Sequence, residues 1–230
     1  RSRYDLVSES GKVLVKDKAL LSLKDFNLKA RLEELADAGV TSFKIEGRLK
    51  NVSYVKNVVR DYSLALDNII AGGPDEYCRT SFGTVSGGFE PDTTKTFNRG
   101  YTELWLDGRR GKWSSMDAPK SMGELVGTVS GVRSHADGGM EISVEPASRG
   151  MELHNGDGFA FAARDGVTGF RGDVCSGRSI QCKPVPDLKA GTKLYRNINT
   201  AFEKVLDTQL CRREIAVGLK SMYTANIPST

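Results

Sequence analysis

Apolar positions in the first seventy residues recur with two different periods. The segments RYDLV (3–7) and KVLVK (12–16) flank SESGK, where Gly11 can supply the positive φ of a tight turn, so the chain opens with a predicted β-hairpin. In LSLKDFNLKARLEELADAGV (21–40), Leu28, Leu32 and Leu35 fall at i, i+4 and i+7, the spacing of one helix face. Ser22 reads as the N-cap of that helix, with Asp25 as an acidic form of the capping box, and Gly39 as its stop. The pattern then switches to period two in VTSFKIEG (40–47), which predicts a strand. Thr41, Phe43 and Ile45 share one face; Val40, Ser42, Lys44 and Glu46 share the other. Helical spacing returns in NVSYVKNVVRDYSLALDNII (51–70), with Val52, Val55, Val59, Tyr62, Leu66 and Ile69 on one stripe. Gly72, Gly73 and Pro74 end it.

The second half has a different grammar. GELVGTVSGV, GMEISVEPA, GDGFAFAAR, FRGDVCSG, SIQCKPV and GTKLYRNI are short strand-like runs, with glycine or proline in nearly every gap. That punctuation predicts a small antiparallel barrel or sandwich. An amphipathic piece, INTAFEKVLDTQL, precedes a last strand, REIAVGL, and a frayed end, SMYTANIPST. The expected organisation is α+β: an α/β part over 1–73, a linker over 74–96, a β-rich domain over 97–218 and a tail over 219–230. The order helix, strand, helix is that of a parallel α/β sheet or barrel. Two helices and one core strand are too few to close one, so the first half reads as the last part of a barrel.

Composition narrows the class. The chain has 230 residues, 39% hydrophobic and 27% charged, as in ordinary globular proteins. No apolar run is long enough to span a bilayer. RSRYDLVSES holds no apolar h-region and no initiator Met, so a cytoplasmic location and a fragment of a longer protein are expected. The net charge of +4 permits contact with nucleic acid without requiring it. Cys78, Cys175, Cys182 and Cys211 form no C-x-x-C pair, and His135 and His154 stand apart; these read as reduced thiols and turn histidines, with no metal site.

Candidate chemistry gathers at the end of the predicted strand. In an α/β barrel, catalytic groups sit at the C-terminal ends of the strands. With Phe43 and Ile45 facing outward, Lys44 and Glu46 point inward there, Gly47 turns the chain and Arg48 begins the loop. An amphipathic strand with one solvated face, carrying a surface Lys–Glu pair, gives the same alternation. Asn98, Arg99 and Tyr101 form a second candidate cluster, in which a guanidinium beside an aromatic ring suits a splayed base; a turn with a surface Arg accounts for them slightly better. DGRRGKW, with Arg109, Arg110, Lys112 and Trp113, is the best local basic-aromatic patch, or a solvated loop.

AGVTSFKIEGRLKNVSYVKNVVRDYSLALD resembles a signature block of the U32 peptidase family, the collagenase-like proteins. The FKIEGR strand, a following basic residue, YV and the R-x-Y step at Arg60 and Tyr62 carry the likeness. RSRYDLV and LLSLKDF are similar to earlier segments of that family, and FNRGYTELWL, GELVGTV and LHNGDGFAF to its C-terminal extension. The resemblance implies the terminal βα units of a TIM-like barrel followed by a β-barrel-like accessory domain. Some members are described as proteases or collagenases. Others take part in hydroxylating a pyrimidine base in ribosomal or transfer RNA, and carry an iron–sulfur cluster on cysteines of the earlier barrel. It therefore implies an RNA-modifying enzyme with Lys44, Glu46 and Arg48 at the active-site mouth. Asn98, Arg99, Tyr101 and the 109–113 patch would lie toward RNA, and the β domain would act as a docking module. The cluster is expected in the full-length protein and on none of these four cysteines. Two alternatives stand: a collagenase-like peptidase, for which no H-E-x-x-H, G-x-S-x-G or Cys–His arrangement occurs, and a non-catalytic assembly module. The missing barrel portion is the expected intramolecular partner, RNA the expected substrate and no membrane is involved. An incomplete barrel exposes strand edges, so the isolated chain is expected to be inactive and to self-associate through residues 1–73.

Overall fold

The structure is a computed structural model that describes residues 2–108, 113–115, 121–136, 138–163 and 166–222. The opening hairpin forms as β1 (Tyr4–Val7) and β2 (Val13–Lys18), antiparallel, with Gly11 at φ 80°. The next segment departs from the periodicity. The first helical turn begins only at Lys29, with Leu28 at its cap position, so Ser22 is not its N-cap; it is fully buried, and its carbonyl accepts the backbone N–H of Ser115. Asp25 and Phe26 form a short strand, β3, parallel to β5 (Tyr101–Thr102). A 3₁₀ turn over Lys29–Arg31 then leads into a six-residue helix, α1 (Leu32–Asp37). The expected helix loses its first half because distant backbone groups recruit that stretch, and tertiary contact overrides weak local propensity.

Residues 40–47 show a second departure. They belong to no ladder among the described residues. A parallel strand needs a hydrogen-bonded neighbour to satisfy its backbone groups. β3–β5 is the only parallel pairing among the described residues, so the expected terminal βα units of a TIM-like barrel are not formed here as a sheet.

The long helix is α2 (Val52–Gly72), capped by the Asn51 side chain, which accepts the Tyr54 N–H at 3.0 Å. Its buried side carries Asn57, Val58 and Asp61, whereas the Val52, Val55, Val59 end of the apolar stripe is exposed. Asp61 holds Lys29, and the Tyr62 hydroxyl donates to Asn27, so α2 clamps the 3₁₀ turn. Asn57 donates to the Asp92 carbonyl and accepts the Asp92 N–H, which fastens the segment before Phe97 to the same helix.

The second half is the antiparallel β unit the punctuation predicts. β6 (Glu124–Ser134), β7 (Met140–Pro146), β8 (Gly158–Ala163), β9 (Gly166–Arg171), β10 (Val174–Ser176), β11 (Ser179–Cys182) and β12 (Lys193–Ile198) form one sheet in the order β10-β11-β7-β6-β12-β8-β9. Its two edge strands are joined by Gly172 and Asp173 alone, so the sheet curls into a half-barrel. Val126, Val129, Ile142, Phe159, Phe161, Ile180 and Leu194 fill it. A Cβ at Gly172 would come within 2.7 Å of the Phe159 ring, so only glycine fits at that crossing.

Helix α3 (Thr200–Thr208) links the halves. Buried Asp157 accepts the Thr200 N–H and hydroxyl at 2.9 and 2.8 Å, the His154 N–H at 3.0 Å and the Arg196 guanidinium at 2.9 Å. Arg196 also donates to Glu124 at 2.7 Å. Burial works to lower the Arg196 pKa, but its carboxylate partners outweigh that and raise it. From this anchored end α3 reaches α2: Glu203 accepts Ser53, and Lys56 donates to the Leu206 carbonyl. The Phe89 and Phe202 rings meet edge to face at 6.2 Å. The last strand, β13 (Cys211–Glu214), starts and ends earlier than REIAVGL predicts, and pairs with β4 (Thr84–Gly87) inside the expected linker. The tail from Tyr223 lies outside the described residues.

Candidate active site

A cleft of about 890 Å³ opens at the start of α2. It brings together Lys44, Glu46 and Arg48 from the unladdered segment, Lys50 and Tyr54 from the helix start, and Phe97, Arg99 and Tyr101 from FNRGY. The alternation read from the sequence survives without the ladder. Ser42, Lys44, Glu46 and Arg48 line this cleft. Thr41, Phe43 and Ile45 line a separate cavity against Val59, Tyr62, Leu66 and Ile69 of α2, although Phe43 and Ile45 also reach the cleft. A chain can keep period-two geometry from steric preference alone; the ladder is a separate requirement.

Lys44 and Glu46 are strongly exposed and pair with each other at 2.8 Å. That bond, with the charge of Glu46, raises the Lys44 pKa. Arg48 is exposed and forms no ion pair among the described residues. The opposite wall is drier. Arg99 donates through Nη2 to Asp25 at 2.6 Å, and its backbone N–H donates to the other Asp25 oxygen at 2.8 Å. Its Nε is buried with no acceptor. Phe97 carries two cations: Lys50 Nζ lies 2.9 Å from the ring centroid and the Arg99 guanidinium 5.7 Å. The Tyr101 hydroxyl donates to the Thr93 carbonyl at 2.8 Å, and burial pushes its pKa up to about 12. Burial likewise raises Tyr54. These rings therefore stay protonated at neutral pH and act as donors and apolar walls.

Not every sequence candidate reaches the cleft. The Asn98 side chain is buried and donates to the Thr94 and Thr96 carbonyls, so it ties a turn instead of facing a ligand. The reason is the following glycine: Gly100 sits at φ 77°, and Asn98 Oδ1 accepts its N–H to hold that bend. Trp113 packs edge to face on Trp105 at 6.3 Å, away from the cleft. Arg109, Arg110 and Lys112 lie outside the described residues. Sequence reading missed Asp25, Lys50 and Phe97. Lys50 and Phe97 were legible as neighbours of the two motifs, but Asp25 lies 74 residues from its partner Arg99.

The cysteines do not gather. Cys78 and Cys211 are exposed, Cys182 is buried in the β core, and Cys175 lies at its edge. No group of three or more His, Cys, Asp or Glu able to hold a metal occurs among the described residues. An iron–sulfur cluster does not fit these four scattered cysteines. No helix among the described residues is long and apolar enough to cross a membrane.

The family model described as Peptidase family U32 matches residues 1–115, which carry FKIEGR and FNRGY. A 23S rRNA 5-hydroxycytidine C2501 synthase from Escherichia coli strain K12 is 36% identical over 231 residues, covering 96% of this chain and 34% of that protein. A collagenase from Porphyromonas gingivalis strain W83 is 28% identical over 145 residues, covering 62% of this chain and 32% of that protein. The chain thus spans about a third of the length of these relatives. No solved structure matches it.

Proposed function

The chain belongs to peptidase family U32, and from that premise we propose that it is part of an enzyme that hydroxylates a pyrimidine base in ribosomal or transfer RNA. One observation carries the reading. The rRNA-modifying relative aligns through both halves, half-barrel included, at 96% of the chain, whereas the collagenase aligns over 62%. A β unit shared along its whole length with a protein that acts on rRNA fits a docking module for RNA. The cleft supports the same reading. It joins Arg99 and Arg48 to aromatic walls, a combination that suits unpaired nucleotides. In this proposal Arg48 and Arg99 bind the RNA, and Glu46 orients Lys44 or handles a proton at the mouth. The exposed stripe of α2 receives the rest of the barrel. An iron–sulfur cluster would be held by cysteines of that remainder, and the protein would work in the cytoplasm. The peptidase alternative rests on the collagenase relative; among the described residues no histidine or cysteine lines the cleft.

The test uses the full-length protein. It is expressed in cells that lack their own rRNA cytidine hydroxylase, and nucleosides from rRNA and tRNA are analysed by mass spectrometry. Expression restores a hydroxylated pyrimidine, and Glu46→Gln and Arg48→Gln lower its yield at least tenfold. An unchanged nucleoside profile, together with casein or collagen cleavage that Glu46→Gln abolishes, would replace this reading with the peptidase one.

A further inference from the structure

The rim of the cleft carries a residue that folding alone does not call for. Gly47 to Lys50 form a β-turn closed by the Lys50 N–H on the Gly47 carbonyl at 3.0 Å. Leu49 takes its third position at φ 61°. That position of such a turn suits glycine or asparagine, and a bulky side chain there is an outlier. Leu49 is also 94% exposed, so it gains almost nothing from burial. A glycine would make the same turn into α2 without strain. Strained residues that persist cluster where the side chain is needed for a task. Leu49 lines the mouth of the cleft, between Arg48 and Lys50 in sequence.

The cleft behind it has the size of a pocket for one small molecule, roughly 300–1,000 Å³. A base held there must leave its stack. Proteins that open a stack commonly fill the gap with an apolar wedge such as leucine.

We propose that Leu49 is such a wedge: it enters the RNA stack at the position vacated by one pyrimidine nucleotide, which turns out into the cleft. Arg48 meets a backbone phosphate beside it. Arg99, fixed on Asp25, presents its guanidinium to the extruded nucleotide, and the Tyr54 and Tyr101 rings flank the base. The inference rests on the reading that the cleft faces RNA.

The experiment uses the full-length protein and a stem-loop RNA with one 5-fluorocytidine stacked in its loop. Binding is measured by anisotropy and the fluorine resonance by NMR. The wild-type complex shows a new resonance for an unstacked, protein-held cytidine. Leu49→Ala lowers that population at least tenfold while affinity falls far less, Leu49→Phe restores it, and Arg48→Gln weakens affinity at least fivefold. Leu49 and Arg48 are both exposed, so neither change threatens the fold. If the stem-loop binds but its cytidine stays stacked, or if Leu49→Ala extrudes it as well as wild type does, the wedge is overturned and the RNA reading stands. If the stem-loop does not bind at all, the RNA reading itself falls.

Discussion

The conformation of Leu49 has a cost that can be measured apart from any role. A non-glycine residue in the left-handed region is destabilised by about 1–2 kcal/mol. Leu49→Gly therefore raises stability by about 1 kcal/mol after the extra freedom of glycine in the unfolded chain is set against it. A urea melt that shows no upward shift would mean that the turn relieves its strain elsewhere. Asp157 gives the opposite case. It is fully buried and receives Arg196, Thr200 and His154, so Asp157→Ala leaves a buried guanidinium short of one partner and α3 without its anchor. Breaking a buried pair of this kind costs about 3 kcal/mol, readable in the same melt; a loss below about 1 kcal/mol would show that Glu124 and the Glu152 carbonyl satisfy Arg196 between them. What sequence shows at this scale follows from distance along the chain. Arg99 and Arg48 stand out in short motifs. Asp25 does not, because the residue that gives it meaning is far away, and Asn98 misleads because an Asn before a glycine bend suits both a ligand and a turn.

Among the elements, the half-barrel strands were the most legible because glycine and proline mark their ends and their apolar positions alternate into one core. Helix α2 was legible for the same reason of regular period, with an asparagine cap in register. The stretch before α1 was not. Its helical spacing is real, but Lys24, Asp25 and Asn27 donate backbone N–H groups to residues 100–113, and those bonds set the local form. The hairpin β10–β11 and its surroundings permit a test by pH. Burial pushes the Cys175 and Cys182 thiols from 9.0 up to about 11. A raised thiol pKa favours the neutral form in the fold. Its contribution is therefore complete below about pH 9 and is lost as pH climbs through about 11. Stability of the chain falls across that window, and the double substitution Cys175→Ala, Cys182→Ala flattens the fall. At neutral pH, iodoacetamide labels exposed Cys78 and Cys211 first, half-buried Cys175 more slowly and buried Cys182 only on unfolding; equal labelling of all four would contradict the packing.

For the whole molecule, the two halves differ in how completely their apolar surface is covered. The half-barrel closes over its own core. The first half leaves Val52, Val55 and Val59 of α2 exposed beside residues 40–47, which have no ladder partner among the described residues. Unpaired strand backbone and an uncovered apolar stripe together form a template for another chain. In the longer protein proposed above, the remaining barrel strands would cover both. In the 230-residue chain alone nothing else among the described residues does so, and a second copy is the nearest source of the same surface. Sedimentation should therefore show association that grows with protein concentration. It should persist in about 0.5 M salt, because apolar burial, unlike surface charge pairing, is not screened. Val52→Lys with Val55→Lys should return the chain to a monomer without loss of helix content, since both side chains point to solvent. A monodisperse monomer of the parent chain across the concentration range would mean that this face is satisfied within one copy. The α/β half would then be a self-sufficient unit instead of one side of a larger barrel.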